Sequence, residues 1–257
     1  MKKKIDIKDA LGNKVSGVFS CPKDASCIVI LSHGFTSSGN SKFYKEMEKD
    51  LNSEKIATIR YDYYGHGKNY PSRYGVSPDT TLTKSVESLA AMIRYARKKG
   101  FRKIGLLGSS FGGLISLTAA AKGKIGFLVL RSPVIEPVRF WRDRLKKLGS
   151  NPKAWQKQGT MHYKLGTFEE FYLDFGFWTD IEKYDTLKMA KKISCPALIV
   201  HGNGDKVVPI SQSVKLEKIL GAKLHVVEGA DHRYTKPEHY AEMKFVIKGF
   251  IIKQARK

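Results

Sequence analysis

Between Lys103 and Gly113 the chain reads Lys-Ile-Gly-Leu-Leu-Gly-Ser-Ser-Phe-Gly-Gly. Here residue type and spacing could do chemistry. A short apolar run ends in Gly108-x-Ser110-x-Gly112, and a helix-like stretch follows directly. A residue at a sharp strand-to-helix turn takes a strained backbone conformation, and its neighbours two positions away approach other chain closely. Glycine at both places removes the Cβ atoms that would clash. The central side chain is lifted clear, while the amides that open the helix face developing negative charge. Ser109 competes for the central role, but its flanks would be Leu107 and Phe111, which are too bulky for the turn. Ser110 is the candidate nucleophile.

A serine hydroxyl is a weak nucleophile near neutral pH and needs a base within hydrogen-bond reach. His232 follows the apolar run 224–227 through Glu228-Gly-Ala-Asp, and Asp205 follows the run 197–200 through His201-Gly-Asn-Gly. Both therefore sit on loops at the carboxyl ends of strands, where open α/β sheets place their sites. Asp231 adjoins His232, but neighbouring side chains on an extended loop diverge; Asp180 and Asp185 are fallback acids. His33, His66 and His201 each lie beside glycine and are expected to shape turns. His225 falls within a strand, His162 in the 133–184 segment and His239 in the last helix. Acyl transfer also needs two donors aimed at an oxyanion. The N–H of Phe111 follows the nucleophile. The N–H of Phe35, in Leu31-Ser-His-Gly-Phe-Thr36, is the second candidate, with Gly34 permitting close backbone approach.

The elements that must hold these residues are legible from periodicity. Apolar runs at 27–31, 56–61, 104–107, 127–130, 197–200 and 224–227 are short and apolar at successive positions, as in strands buried on both faces of a parallel sheet. Amphipathic stretches at 41–53, 81–99, 111–122, 211–220 and 237–252 alternate with them, and Pro237 suits a first helical turn. This alternation predicts an α/β fold: a mostly parallel central sheet with helices on both faces. Residues 1–20 add an antiparallel hairpin turning at Gly12-Asn13. From 133 to 184 no strand is expected, yet the segment carries 11 of the 28 aromatic residues. A long insertion that rich in aromatics reads as a small helical cap rather than disorder. Residues 1–132 and 185–257 would then form the core domain, with 133–184 as the cap insertion. Trp141, Phe171, Phe175 and Trp178 are the candidate substrate contacts.

The chain has 257 residues, 42% hydrophobic and 27% charged, ordinary for a globular domain. Its balance is not ordinary: 46 Lys and Arg face 24 Asp and Glu, a net charge of +22. The charge is spread over the chain and no nucleic-acid motif accompanies it, so a solvated basic surface is expected and a specific nucleic-acid partner is not. Three cysteines without CxxC or Cys/His spacing predict neither a disulfide framework nor a metal site. No apolar run approaches membrane-spanning length and no signal core follows Met1, so the expected location is cytoplasmic. A homo-oligomer is compatible with the sequence.

These pieces together resemble the α/β-hydrolase family over nearly the whole length. The matching motifs are His33-Gly34-Phe35, Asp62-Tyr-Tyr-Gly-His-Gly67, Gly108-Ser-Ser-Phe-Gly112, His201-Gly-Asn-Gly-Asp-Lys-Val-Val-Pro209 and Gly229-Ala-Asp-His232. The order Ser110, Asp205, His232 is that family's order of nucleophile, acid and base. Within the family the chain is similar to small cinnamoyl (feruloyl) esterases and to monoacylglycerol lipase-like carboxylesterases. The resemblance implies a small-molecule carboxylic ester substrate, an acyl-enzyme on Ser110 and no cofactor. Tyr63-Tyr64 stands where many relatives carry an arginine. A monoacylglycerol lipase or a serine aminopeptidase-like hydrolase is the alternative from the same chemistry; a peptidase would call for an acidic cluster in the cap, where Glu169-Glu170 is the one acidic pair. From another class, a catalytically silent homologue could bind polyanions.

Overall fold

In the computed structural model, residues 1–67, 76–165 and 169–257 are described. Phe168, one of the aromatics counted above, lies outside them, as does the side chain of Glu169.

The chain opens with β1 (Lys2–Lys8) and β2 (Lys14–Ser20), an antiparallel hairpin. Its turn is set by Asp9, whose carboxylate accepts the N–H groups of Leu11 and Asn13, and by Gly12, whose φ of 80° suits a residue without Cβ. Six strands then run parallel: β3 (Cys27–Ser32), β4 (Ala57–Asp62), β5 (Lys103–Ser109), β6 (Phe127–Arg131), β9 (Ala197–Gly202) and β10 (Lys223–Val227). The sheet order is β1-β2-β4-β3-β5-β6-β9-β10, with β2 pairing β4 antiparallel.

Alternate residues of the buried strands face opposite cores. Val29, Leu31, Leu107, Val129, Leu198 and Val200 pack with α1 (Lys42–Ser53) and α9 (Pro237–Ala255). Ile28, Ile30, Leu106, Leu128, Leu130 and Ile199 pack with α2 (Leu82–Lys98), α3 (Phe111–Lys122) and α8 (Ser211–Leu220). Covered on both faces, these strands have no polar side to display, which accounts for their continuous apolar runs. α3 is buried at every position from Phe111 to Ala120, so it is a core helix rather than a surface one. Thr81 accepts the Lys84 N–H and starts α2; Pro237 stands in the first turn of α9. β3 and β5 are neighbours, yet the chain leaves β3 toward α1 on one face and β5 toward α3 on the other. That divergence opens a crevice at their carboxyl ends.

The expectation of a purely helical 133–184 segment is corrected. It contains α4 (Pro137–Lys147), α5 (Pro152–Gln158) and α6 (Gly176–Ile181), but also an antiparallel hairpin, β7 (Thr160–Leu165) with β8 (Glu169–Asp174). Along β7, Met161 and Tyr163 are buried while His162 and Lys164 are exposed; along β8, Phe171 and Leu173 are buried and Tyr172 exposed. Alternation with period two is a strand signature, here confined to a few residues between helices. Trp141, Trp155, Tyr163, Phe171 and Phe177 join the same hydrophobic cluster as Leu106 and Leu128, so this segment shares the sheet's core. α7 (Thr186–Ala190) leads back to β9. Among the described residues, no helix is long and apolar enough to cross a membrane.

Candidate active site

Ser110 stands between β5 and α3 with φ 53° and ψ −116°, a conformation that L-residues rarely adopt. Its surroundings hold it there. The Ser110 N–H donates to the Arg131 carbonyl at 2.9 Å, and its carbonyl accepts the N–H groups of Gly113 (3.0 Å) and Val134 (3.2 Å). A Cβ at Gly108 would lie 2.2 Å from the Gly112 oxygen, and one at Gly112 would lie 2.3 Å from the Ser32 and His33 oxygens. No side chain fits at either position, so the two glycines are required by the turn itself.

The Ser110 Oγ lies 3.0 Å from His232 Nε2, and His232 Nδ1 lies 2.6 Å from Asp205 Oδ2. A carboxylate can only accept, so Nδ1 carries the proton and Nε2 offers its lone pair to the serine hydroxyl. Asp205 is buried and accepts four hydrogen bonds. Besides His232, these come from the Val207 and Val208 N–H groups at 2.8 Å each and from His201 Nε2 at 3.0 Å. Burial alone would push its carboxyl up, but the bonds from His201 and His232 outweigh it and hold the group well below the usual carboxylate range. The His201 Nε2 also faces the Val208 carbonyl at 3.0 Å, while its Nδ1 meets Ser213 Oγ at 2.7 Å. His201 is thus a support for the acid, a role its place beside Gly202 did not reveal. The rival acids are committed elsewhere. Asp231 accepts from Thr235, Asp180 from Thr83, and Asp185 from the Lys188 N–H at the start of α7.

The loop after β3 passes beside the serine: a Cβ on Gly34 would lie 3.6 Å from Ser110 Cβ. Its next residue, Phe35, meets the Phe111 ring edge-on at 5.0 Å. Phe111 opens α3, so its N–H has no carbonyl four residues back within the helix. The Gly34 carbonyl is held by His33 Nδ1–H at 2.8 Å and by the Tyr63 hydroxyl at 3.1 Å. Tyr63 is fully buried and stacks on His33 at 4.1 Å, so it braces the loop that carries Phe35. Tyr64 turns outward and donates to Asp79. His66 is buried under Phe35 and Tyr63, and burial pushes its imidazole down to about 3.

A cleft of about 520 Å³ opens over Ser110 and His232. Phe35, Phe111, Trp141 and Phe171 line it, together with Phe140, Val134 and Val207, which sequence reasoning did not single out. The expectation for Phe175 and Trp178 is corrected: neither is among the described lining residues, and both pack edge-on against the buried Trp155 at the base of the 133–184 segment. Helical spacing could not separate these four aromatics, because their facing depends on how the hairpin folds back.

Known proteins share this architecture. Est1E from Butyrivibrio proteoclasticus, also solved with ferulic acid bound, superposes with a TM-score of 0.82 at 26% identity, covering 99% of both chains. The fold is that of the α/β-hydrolases. Esterase EstD of Thermotoga maritima is 26% identical over 249 residues, or 88% of this chain, which spans 59% of that relative's length. The human serine hydrolase BPHL is 25% identical over 79% of this chain and 72% of its own. The family model described as serine aminopeptidase, S33, matches residues 23–162, more than half of the protein. This chain belongs to the serine aminopeptidase, S33, family.

Proposed function

We propose that the protein is a serine carboxylesterase working through Ser110, Asp205 and His232. The observation that carries this reading is the unbroken line of hydrogen bonds from Asp205 through His232 to a serine held in a strained turn. His232 takes the Ser110 proton as the oxygen attacks the ester carbonyl, and the N–H groups of Phe35 and Phe111 hold the oxyanion. The bond to the alcohol oxygen breaks as His232 returns the proton to it. Water, deprotonated by His232, then attacks the acyl-enzyme and releases the acid and free Ser110. The chemistry needs no cofactor beyond these side chains. Residues 133–184 act as a cap whose Phe140, Trp141 and Phe171 give the acyl or alcohol group an apolar wall.

The esterase names among the relatives support this reading, and the ferulic acid bound to Est1E supports cinnamoyl esters within an ester range that also takes in short-to-medium acyl groups by our reading. Peptidase action on a free amino terminus is disfavoured by charge. Lys42, Arg131, Arg144 and Arg233 line the cleft, and no Asp or Glu is among its described lining residues, so a substrate ammonium would meet only repulsion. The three free cysteines, Cys21, Cys27 and Cys195, suit a reducing, cytoplasmic setting. Fluorophosphonate labelling tests the proposal. Covalent attachment at Ser110, absent in Ser110→Ala, is expected together with hydrolysis across an ester panel from acetyl to feruloyl. A folded protein that neither labels nor hydrolyses would sink it, and salt-sensitive retention on a polyanion would then favour a silent binding protein.

A further inference from the structure

The cleft has two unlike sides. Toward the 133–184 segment it is aromatic, with Phe140, Trp141 and Phe171. Toward α1 it adds polar and cationic groups, with Lys42, Tyr44, Tyr240 and Arg131 beside Phe43. Of the four cations in its lining, three have evident engagements. Lys42 lies 3.9 Å from Glu46, Arg144 lies over Phe140 and Trp141 and makes further interactions, and Arg233 likewise has other partners.

Arg131 differs. It is the last residue of β6, and its carbonyl accepts the Ser110 N–H, so it stands beside the nucleophile on the neighbouring strand. Its guanidinium lies over the Phe43 ring at 4.7 Å and the Tyr234 ring at 5.2 Å. Among the described residues its guanidinium is engaged by these two rings and by no carboxylate, and its Nε is buried without a hydrogen-bond partner. A half-buried guanidinium without a counter-charge is costly, and ring faces offset only part of that cost. What is missing is an anion. The planar fork of donors fits a carboxylate in two-point contact, which the ring faces on either side would keep in register.

We infer that Arg131 anchors a carboxylate carried by the substrate away from its reacting ester, so that the site prefers esters of which one half is an anion. The inference rests on the esterase reading above and narrows it to a substrate class. It differs from general attraction by the +22 surface. Long-range steering is screened within a few ångströms at high salt, whereas a contact inside the cleft is not.

Matched ester pairs test it: monoethyl adipate against ethyl hexanoate for an acyl-side carboxylate, and 4-butyryloxybenzoate against 4-methylphenyl butyrate for one on the alcohol side. Product release is followed chromatographically in about 0.5 M NaCl to suppress steering. Wild-type protein should show the higher kcat/KM for the anionic member of at least one pair. That advantage should fall roughly tenfold or more in Arg131→Met and partly return in Arg131→Lys, as expected for losing a charged hydrogen bond. Fluorophosphonate labelling of each variant reports whether its site is assembled. Three results overturn the inference while leaving the esterase reading intact: no anionic preference in a wild-type protein that cleaves the neutral esters, a preference unchanged in Arg131→Met, or an equal loss on both members of a pair. If the wild-type protein cleaves no ester and takes no label, the esterase reading itself fails and the inference falls with it.

Discussion

At the scale of single residues, the site is defined by proton placement. Asp205 accepts from His232 Nδ1 and thereby leaves Nε2 bare toward Ser110. Asp205→Asn keeps the shape but can donate to Nδ1, which favours the wrong tautomer. The expected loss in kcat is about 10⁴-fold, as in other triads altered this way, with the neutral-ester rate as the readout. Two of the candidate aromatics give a contrasting pair. Trp141 lines the cleft, whereas Trp178 packs on Trp155 away from it. Trp141→Phe should raise KM, by roughly tenfold at most, because part of one aromatic contact is worth about 1 kcal/mol. Trp178→Ala should instead lower stability by about 3 kcal/mol or more, measured by urea denaturation. A reversal of these two effects would move the substrate wall away from the side of Trp141.

At the scale of elements, the strand-to-helix turn and the 133–184 hairpin carry different risks. The turn admits no Cβ at position 108, where the nearest atom is backbone of the same turn. Gly108→Ala must shift either α3 or β5, and the expected outcome is a loss of several kcal/mol in stability together with fluorophosphonate labelling. A stable, fully labelled variant would contradict that geometry. The hairpin packs into the sheet's core through Met161, Tyr163, Phe171 and Leu173. Its strand β8 ends at Asp174, whose N–H reaches the Pro78 carbonyl, and Trp155 donates to the Leu173 carbonyl at 3.0 Å. The rings of Tyr163, Phe175 and Trp178 pack around Trp155, while Phe140, Trp141 and Phe171 face the cleft.

Across the whole molecule, buried histidines set how the fold meets acid. His66 is wholly buried, with its imidazole pushed down to about 3, and burial lowers His33 beside it as well. In the unfolded chain these rings take up protons near the ordinary value of 6.5. Below that pH the unfolded state binds more protons than the folded one, so stability is complete above about 6.5 and declines as the pH falls toward 3. The expected decline from His66 alone is about 2 kcal/mol by about pH 5, read from urea midpoints at several pH values. In His66→Gln the slope should be shallower, with His33 supplying the remainder. An unchanged slope would show that the ring is protonated on folding or reachable by water. The sheet, the 133–184 segment and the loop carrying Phe35 all converge near this pair, so its burial reports on the integrity of the cleft as well as of the fold.

How much of this was legible in the sequence differs from residue to residue. The alternation of apolar runs with amphipathic stretches was enough to place β3 to β6, β9, β10 and the helices α1, α2, α3, α8 and α9 within a few residues, because strands covered on both faces carry a continuous apolar pattern. The glycines flanking Ser110 named the turn, since their need is local and steric. The hairpin of β7 and β8 escaped because a six-residue alternation between helices gains its meaning from the partner it pairs with. The inward facing of Trp141 over Trp178, the bracing of the Phe35 loop by Tyr63, the support of Asp205 by His201 and the lone guanidinium of Arg131 belong to the tertiary structure alone. Each depends on side chains from distant segments meeting in space, and spacing along a chain carries no record of such meetings. The sequence by itself determined which residues could do chemistry and on which kind of scaffold; packing decided what surrounds them, because the walls of the cleft come from segments far apart in the chain.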